Sequence, residues 1–141
     1  MEKKRVLFVC VHNSARSQMA EAFLKQLAGD QFEVESAGLE PGKLNPVVVD
    51  AMKEIGIDIS GNKTQGVQSL LDAGKTYDYI FTVCDEAQAE RCPLFSGGGK
   101  RMHIGFADPS GFSGTPEEKL EQTRQVRDQI KEKIKEWISE I

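Results

Sequence analysis

The stretch that decides the fold is Val6-Leu7-Phe8-Val9-Cys10-Val11, His12-Asn13-Ser14-Ala15-Arg16, then Ser17-Gln18-Met19-Ala20-Glu21-Ala22-Phe23-Leu24-Lys25-Gln26-Leu27. The first part is a short apolar run whose length suits a buried strand over residues 5–10. The middle part is a polar loop. In the last part Met19, Ala20, Phe23, Leu24 and Leu27 recur at helical spacing, and Gly29 ends the helix. Strand, tight loop and helix follow one another with no linker.

The pattern repeats outward from there. Residues 32–37 alternate with period two and predict a strand. Asn45 caps a helix with Pro46 at its first position, running to Ile55 before Gly56. A short helix holds Leu70 and Leu71 and ends near Gly74. Residues 77–84 predict a second buried strand, and Met102-His103-Ile104 a fourth, short one. Between them, residues 84–100 read as loop, and Gly97-Gly98-Gly99 as a flexible tract with no phosphate-binding Lys-Ser or Lys-Thr after it. Thr115-Pro116-Glu117-Glu118 opens the last helix as a capping box. Its buried stripe is Val126, Ile130, Ile134, Trp137, Ile138 and Ile141.

Alternating strands and helices predict an α/β fold: a four-stranded parallel sheet with helices on both faces, a three-layer sandwich joined by right-handed crossovers. The 141 residues, read as one domain over 1–141, are enough to bury a core without a metal or disulfide staple. A net charge of −4 argues against a general nucleic-acid binder. No apolar run is long enough to span a bilayer. The basic residues at 3–5 precede an apolar run too short for a signal peptide, so a cytoplasmic protein is expected. Three widely spaced cysteines, an odd number, do not form a secreted disulfide framework.

In open sheets of this kind ligands sit beyond the carboxyl ends of the strands, and Cys10 and Cys84 both lie at such ends. Cys10 and Arg16 bracket the loop of Val11, His12, Asn13, Ser14 and Ala15. Successive backbone N–H groups of such a loop form a nest for an oxyanion, and the helix behind adds its positive end. The Arg16 fork suits two oxygens of a phosphate-like group. The same field favours the thiolate of Cys10, and Ser17 is placed to donate a hydrogen bond to its sulfur. The plainer alternative is a buried small hydrophobe followed by an exposed arginine. The strand–loop–helix context favours the anion loop. Cys84 and Cys92 lack the close spacing of a zinc site, so no metal is expected.

The segment from Cys10 to Glu21 resembles the anion loop of arsenate reductases built on the low-molecular-weight tyrosine phosphatase fold. The likeness extends to Ser36-Ala37-Gly38, Asn45-Pro46, Asp58-Ile59-Ser60, Cys84, Cys92-Pro93 and Asp108-Pro109. The loop is shared with phosphatases, and the added pair of cysteines points to a reductase. The resemblance implies that Cys10 attacks arsenate while Arg16 and the loop from Val11 to Ser17 hold its oxygens. Asp108 would protonate the leaving hydroxyl. It further implies Cys10–Cys84 and then Cys84–Cys92 disulfides, reduced by thioredoxin or glutaredoxin, in arsenic detoxification. No cofactor, nucleic-acid or membrane partner is implied, and a monomer is expected. The alternatives are a phosphatase acting on phosphate monoesters with Cys10, Arg16 and Asp108, and a non-enzymatic anion-binding module.

Four departures matter, one of them Ser110, which follows Asp108-Pro109 where phosphatases often carry tyrosine and so weakens a tyrosine phosphatase reading. His12 stands where many relatives have glycine, and histidine tolerates a left-handed backbone better than most residues. Ala15 replaces a further cysteine. Asn13, Glu21 and Ser36 match a potassium site of some relatives, but Gln65 stands at the position of the acidic ligand, so the match leaves a cation beside Asn13 and Glu21 open. Cys84 and Cys92 are eight positions apart, so a disulfide between them requires residues 84–92 to fold back.

Overall fold

The computed structural model describes residues 3–93, 95 and 99–141. Four parallel strands, β1 (Lys4–Cys10), β2 (Phe32–Gly38), β3 (Tyr79–Thr82) and β4 (Lys100–His103), lie in the order β2-β1-β3-β4. Helices α1 (Arg16–Ala28), α2 (Pro46–Lys53), α3 (Val67–Asp72), α4 (Glu86–Ala89) and α5 (Pro116–Glu140) connect and flank them.

The unbroken apolar run of β1 divides between two cores. Val6, Phe8 and Cys10 face Met19 and Phe23 of α1, Val48 and Met52 of α2, and Ile130, Ile134 and Trp137 of α5. Leu7 and Val9 face Val67 and Leu70 of α3, with Tyr77, Ile80, Cys92 and Phe95. A central strand covered on both sides reads as continuous rather than alternating hydrophobicity. The α5 stripe is core as far as Trp137, while Ile138 is half-buried and Ile141, expected inside, is exposed just beyond the helix end. The Trp137 ring lies 5.0 Å from Tyr79 and from Phe81, and 5.2 Å from Phe32. Arg127, largely buried, donates to the Ala51 carbonyl at 2.8 Å and to Glu54 at 3.0 Å, tying α5 to the end of α2. Hydrogen bonds from Arg124 and Arg127 hold the Glu54 carboxyl down at about 2.

The capping box of α5 forms as the sequence predicts, with Glu118 N–H donating to Thr115 Oγ1 at 3.2 Å. Residues 84–100, expected as loop, contain the one-turn helix α4. Asp85 caps it, its side chain accepting from Gln88 N–H at 3.1 Å, and Glu, Ala and Gln are good helix formers. Asp108-Pro109, a common turn opener, starts a 3-10 turn at Pro109–Gly111 that Asp108 caps. The fourth strand begins two residues earlier than expected. Gly97 and Gly98 of the glycine tract lie outside the described residues. Among the described residues no helix is long and apolar enough to cross a membrane.

Candidate active site

Cys10 ends β1, and the loop after it curls back onto the start of α1. The loop carbonyls turn outward. Those of Cys10, Val11, His12 and Ser14 accept from the N–H groups of Leu39, Glu40, Gly42 and Asn45 at 2.7–3.0 Å. The Asn13 N–H turns the other way and donates to Cys10 Sγ at 3.3 Å. Ala15, at the N-cap of α1, offers no side-chain acceptor, so the first N–H groups of that helix stay open to an anion. Ser17 Oγ lies 2.9 Å from Cys10 Sγ, the contact expected from the sequence.

The left-handed residue of the loop is Asn13, with φ 56°, and not His12. Asparagine is among the side chains that accept this region most readily. Its side chain, fully buried, spends every hydrogen-bonding group. Nδ2 donates to Ser17 Oγ at 2.8 Å and to Ser36 Oγ at 2.9 Å; Oδ1 accepts from Gln65 N–H at 3.0 Å and from Gln18 Nε2 at 3.2 Å. Gly38 completes the cradle, since a Cβ there would stand 2.7 Å from the Asn13 nitrogen. Asn13→Ala should therefore strand several buried polar groups and strain the backbone. We expect it to cost about 2–4 kcal/mol in urea denaturation, and to remove most activity because the loop loses its shape.

Arg16, buried, enters from the start of α1. Its Nη1 donates to the Phe106 carbonyl at 3.2 Å, and its Nη2 stands 3.5 Å from Asp108 Oδ2. Its Nε is buried without a partner among the described residues. A fork with an unspent donor beside an open helix N-terminus fits a tetrahedral oxyanion above Cys10.

All three cysteines are buried and free. Cys84 follows β3, next to β1, and shares the core of Cys10. Burial pushes its thiol up, opposed by the nearby Arg16 guanidinium. Cys92 is not brought to the loop. It lies in the core of the opposite sheet face, where burial also pushes its thiol up and Arg101 opposes. Arg91, beside it, pairs with Glu40 at 3.2 Å, and the Glu40 carbonyl contacts His12 Nδ1 at 2.9 Å.

The residues at the cation positions of some relatives are bonded to one another here. Ser36 donates to Glu21, which also pairs with Lys25, and Gln65 Nε2 donates to the Ser36 carbonyl at 2.8 Å. Gln65 and Phe106 serve the loop through long-range contacts, so no local sequence signal marks them, while Gln18 bonds Asn13 from the first turn of α1. Among the described residues no group of three His, Cys, Asp or Glu side chains is placed to hold a metal ion.

The low molecular weight phosphotyrosine protein phosphatase family matches residues 5–141. An arsenate reductase of Bacillus subtilis (strain 168) is 45% identical over 137 residues, covering 97% of this chain and 96% of that protein. The solved structure of an arsenate reductase in its phosphate-binding state aligns with a TM-score of 0.77 and 34% identity, over 98% of each chain. A tyrosine phosphatase of Erwinia amylovora aligns with a TM-score of 0.80 at 20% identity, over 99% of this chain and 94% of that one, a likeness of fold alone.

Proposed function

The chain belongs to the low molecular weight phosphotyrosine protein phosphatase family, and within it we propose an arsenate reductase that works by a three-cysteine relay. The observation that carries the reading is a second buried thiol, Cys84, in the core that holds the anion-loop nucleophile Cys10. Hydrolysis has no use for it. The Bacillus subtilis relative named arsenate reductase, 45% identical over nearly the full chain, supports the same substrate.

The Cys10 thiolate attacks arsenic(V), forming a sulfur–arsenic bond as a hydroxyl leaves. Asp108 gives that hydroxyl its proton, so water departs. Arg16 and the N–H groups of Val11 to Ser17 hold the remaining oxygens, worth most in a site shielded from water. Cys84 thiolate then attacks the Cys10 sulfur. The sulfur–arsenic bond breaks and its electron pair stays with arsenic, which leaves as arsenite, arsenic(III). Two thiols have become the Cys10–Cys84 disulfide, so two electrons balance. Cys92 attacks the Cys84 sulfur and frees Cys10 as thiolate. An external dithiol of the thioredoxin or glutaredoxin type reduces the final Cys84–Cys92 bond. The protein acts in the cytoplasm as a monomer, with no cofactor or metal of its own. Slow hydrolysis of aryl phosphates accompanies the activity, because Cys10, Arg16 and Asp108 serve both reactions.

The test is NADPH consumption by the purified protein with a thioredoxin system and, separately, a glutaredoxin–glutathione system. Consumption that requires arsenate in at least one system is expected. Consumption independent of arsenate in both would overturn the reading.

A further inference from the structure

Besides the helix bond its carbonyl accepts from Val49 N–H, Asn45 makes three kinds of bond. Its backbone N–H donates to the Ser14 carbonyl at 2.9 Å, inside the anion loop. Its Oδ1 accepts from the N–H groups of Val47 and Val48 at 2.9 and 3.4 Å, which caps α2. With the oxygen so committed, its Nδ2 faces out and donates to Ser110 Oγ at 3.1 Å. Ser110 N–H then donates to Asp108 Oδ1 at 3.0 Å, and Asp108 Oδ2 stands 3.5 Å from Arg16. The path closes on the loop it left: Ser14, Asn45, Ser110, Asp108, Arg16.

Segment 105–112 contains no strand and no α-helix. Apart from the Arg16–Asp108 pair, and among the described residues, only two hydrogen bonds tie it to the rest of the protein. One runs from Arg16 to the Phe106 carbonyl, the other from Asn45 to Ser110. The helix cap alone does not require asparagine, since serine, threonine or aspartate would serve. None of those keeps a side-chain N–H to donate while its oxygen caps the helix.

We propose that Asn45 and Ser110 are positioning residues for Asp108, their hydrogen bond setting its carboxyl against the anion loop for proton delivery to the departing oxygen. The inference rests on Asp108 being the acid of the proposed reaction. The bond matters in proportion to the leaving group's need for a proton, and little for binding the anion.

The test uses Asn45→Ser, which keeps a helix cap, Ser110→Ala, the double variant, and Ser110→Thr, which keeps the hydroxyl. The probes are phenyl phosphate, whose phenolate is a poor leaving group, and 2,4-dinitrophenyl phosphate, whose phenolate departs without a proton. Each single variant should lose about three- to ten-fold in kcat/KM for phenyl phosphate, the scale of one hydrogen bond. The dinitrophenyl ester and inhibition by inorganic phosphate should change less than about two-fold on the same scale. The double variant should lose no more than either single one, and Ser110→Thr should retain activity. Amide hydrogen exchange at residues 110–112 should quicken in Asn45→Ser and Ser110→Ala but not in Ser110→Thr. Equal losses on both esters, multiplicative losses in the double variant, no loss, or unchanged exchange in Asn45→Ser would each overturn the proposal. A wild-type protein that shows the ester pattern but reduces no arsenate would sink the reductase reading and leave this one standing.

Discussion

Replacing Cys10 with serine is expected to abolish arsenate turnover and aryl phosphate hydrolysis together, by on the order of a thousand-fold or more, while the fold persists. The side chain sits at the end of β1, with Ser17 Oγ at 2.9 Å and the Asn13 N–H at 3.3 Å, contacts that a serine oxygen accepts as well. Stability should therefore shift by less than about 1 kcal/mol. What is lost is the nucleophile: a serine hydroxyl is a far weaker one than a cysteine sulfur unless a base activates it, and the His12 ring of this loop is turned to the Glu40 carbonyl. Arg16→Lys should cost about a hundred-fold for a different reason. A point charge has no planar fork, and it cannot reach the oxyanion, the Phe106 carbonyl and Asp108 at once. Steady-state kinetics and circular dichroism check both. Full activity in Cys10→Ser would remove the basis for reductase and phosphatase alike.

The second large effect separates those two chemistries. Cys84→Ser and Cys92→Ser should each stop repeated arsenate reduction and spare slow aryl phosphate hydrolysis. Cys84→Ser should release no arsenite at all. Cys92→Ser should release one arsenite per protein and then halt, because nothing regenerates Cys10. The raised thiols of Cys84 and Cys92 are mostly protonated near neutral pH, so the disulfide steps should quicken as pH rises. The Cys92 step also demands movement. Cys92 is buried on the sheet face opposite Cys10 and Cys84, with α4 between the two resolving thiols. A disulfide requires their Cα atoms within roughly 7 Å. One helical turn and the Arg91–Glu40 ion pair are small barriers to such a rearrangement, since an exposed pair contributes about 1 kcal/mol or less.

The sheet and its anion loop were legible because each depends on local pattern. The apolar run before Cys10 spells a buried strand, and Met19, Phe23 and Leu24 spell the helix that follows. The Thr115–Glu118 box is likewise written in four adjacent residues. What was not legible depends on tertiary contact. Nothing near Gln65 in the chain marks it as a partner of Asn13, 52 positions away. The left-handed position was read at His12, where relatives have glycine, but the hydrogen bonds that choose it come from Ser36 and Gln65, far along the chain. Helix α4 escaped notice because one capped turn carries no hydrophobic periodicity. The link from Asn45 to Ser110 spans 65 positions, and neither the helix start at Asn45-Pro46 nor its place in the family likeness points to Ser110.

The most direct test of the relay is peptide mass mapping of reduced Cys92→Ser after one equivalent of arsenate, with arsenite measured in the same sample. The account predicts a Cys10–Cys84 disulfide in amount equal to the arsenite released. Arsenite released with Cys10 and Cys84 both still reduced, or no disulfide and no arsenite, would contradict it.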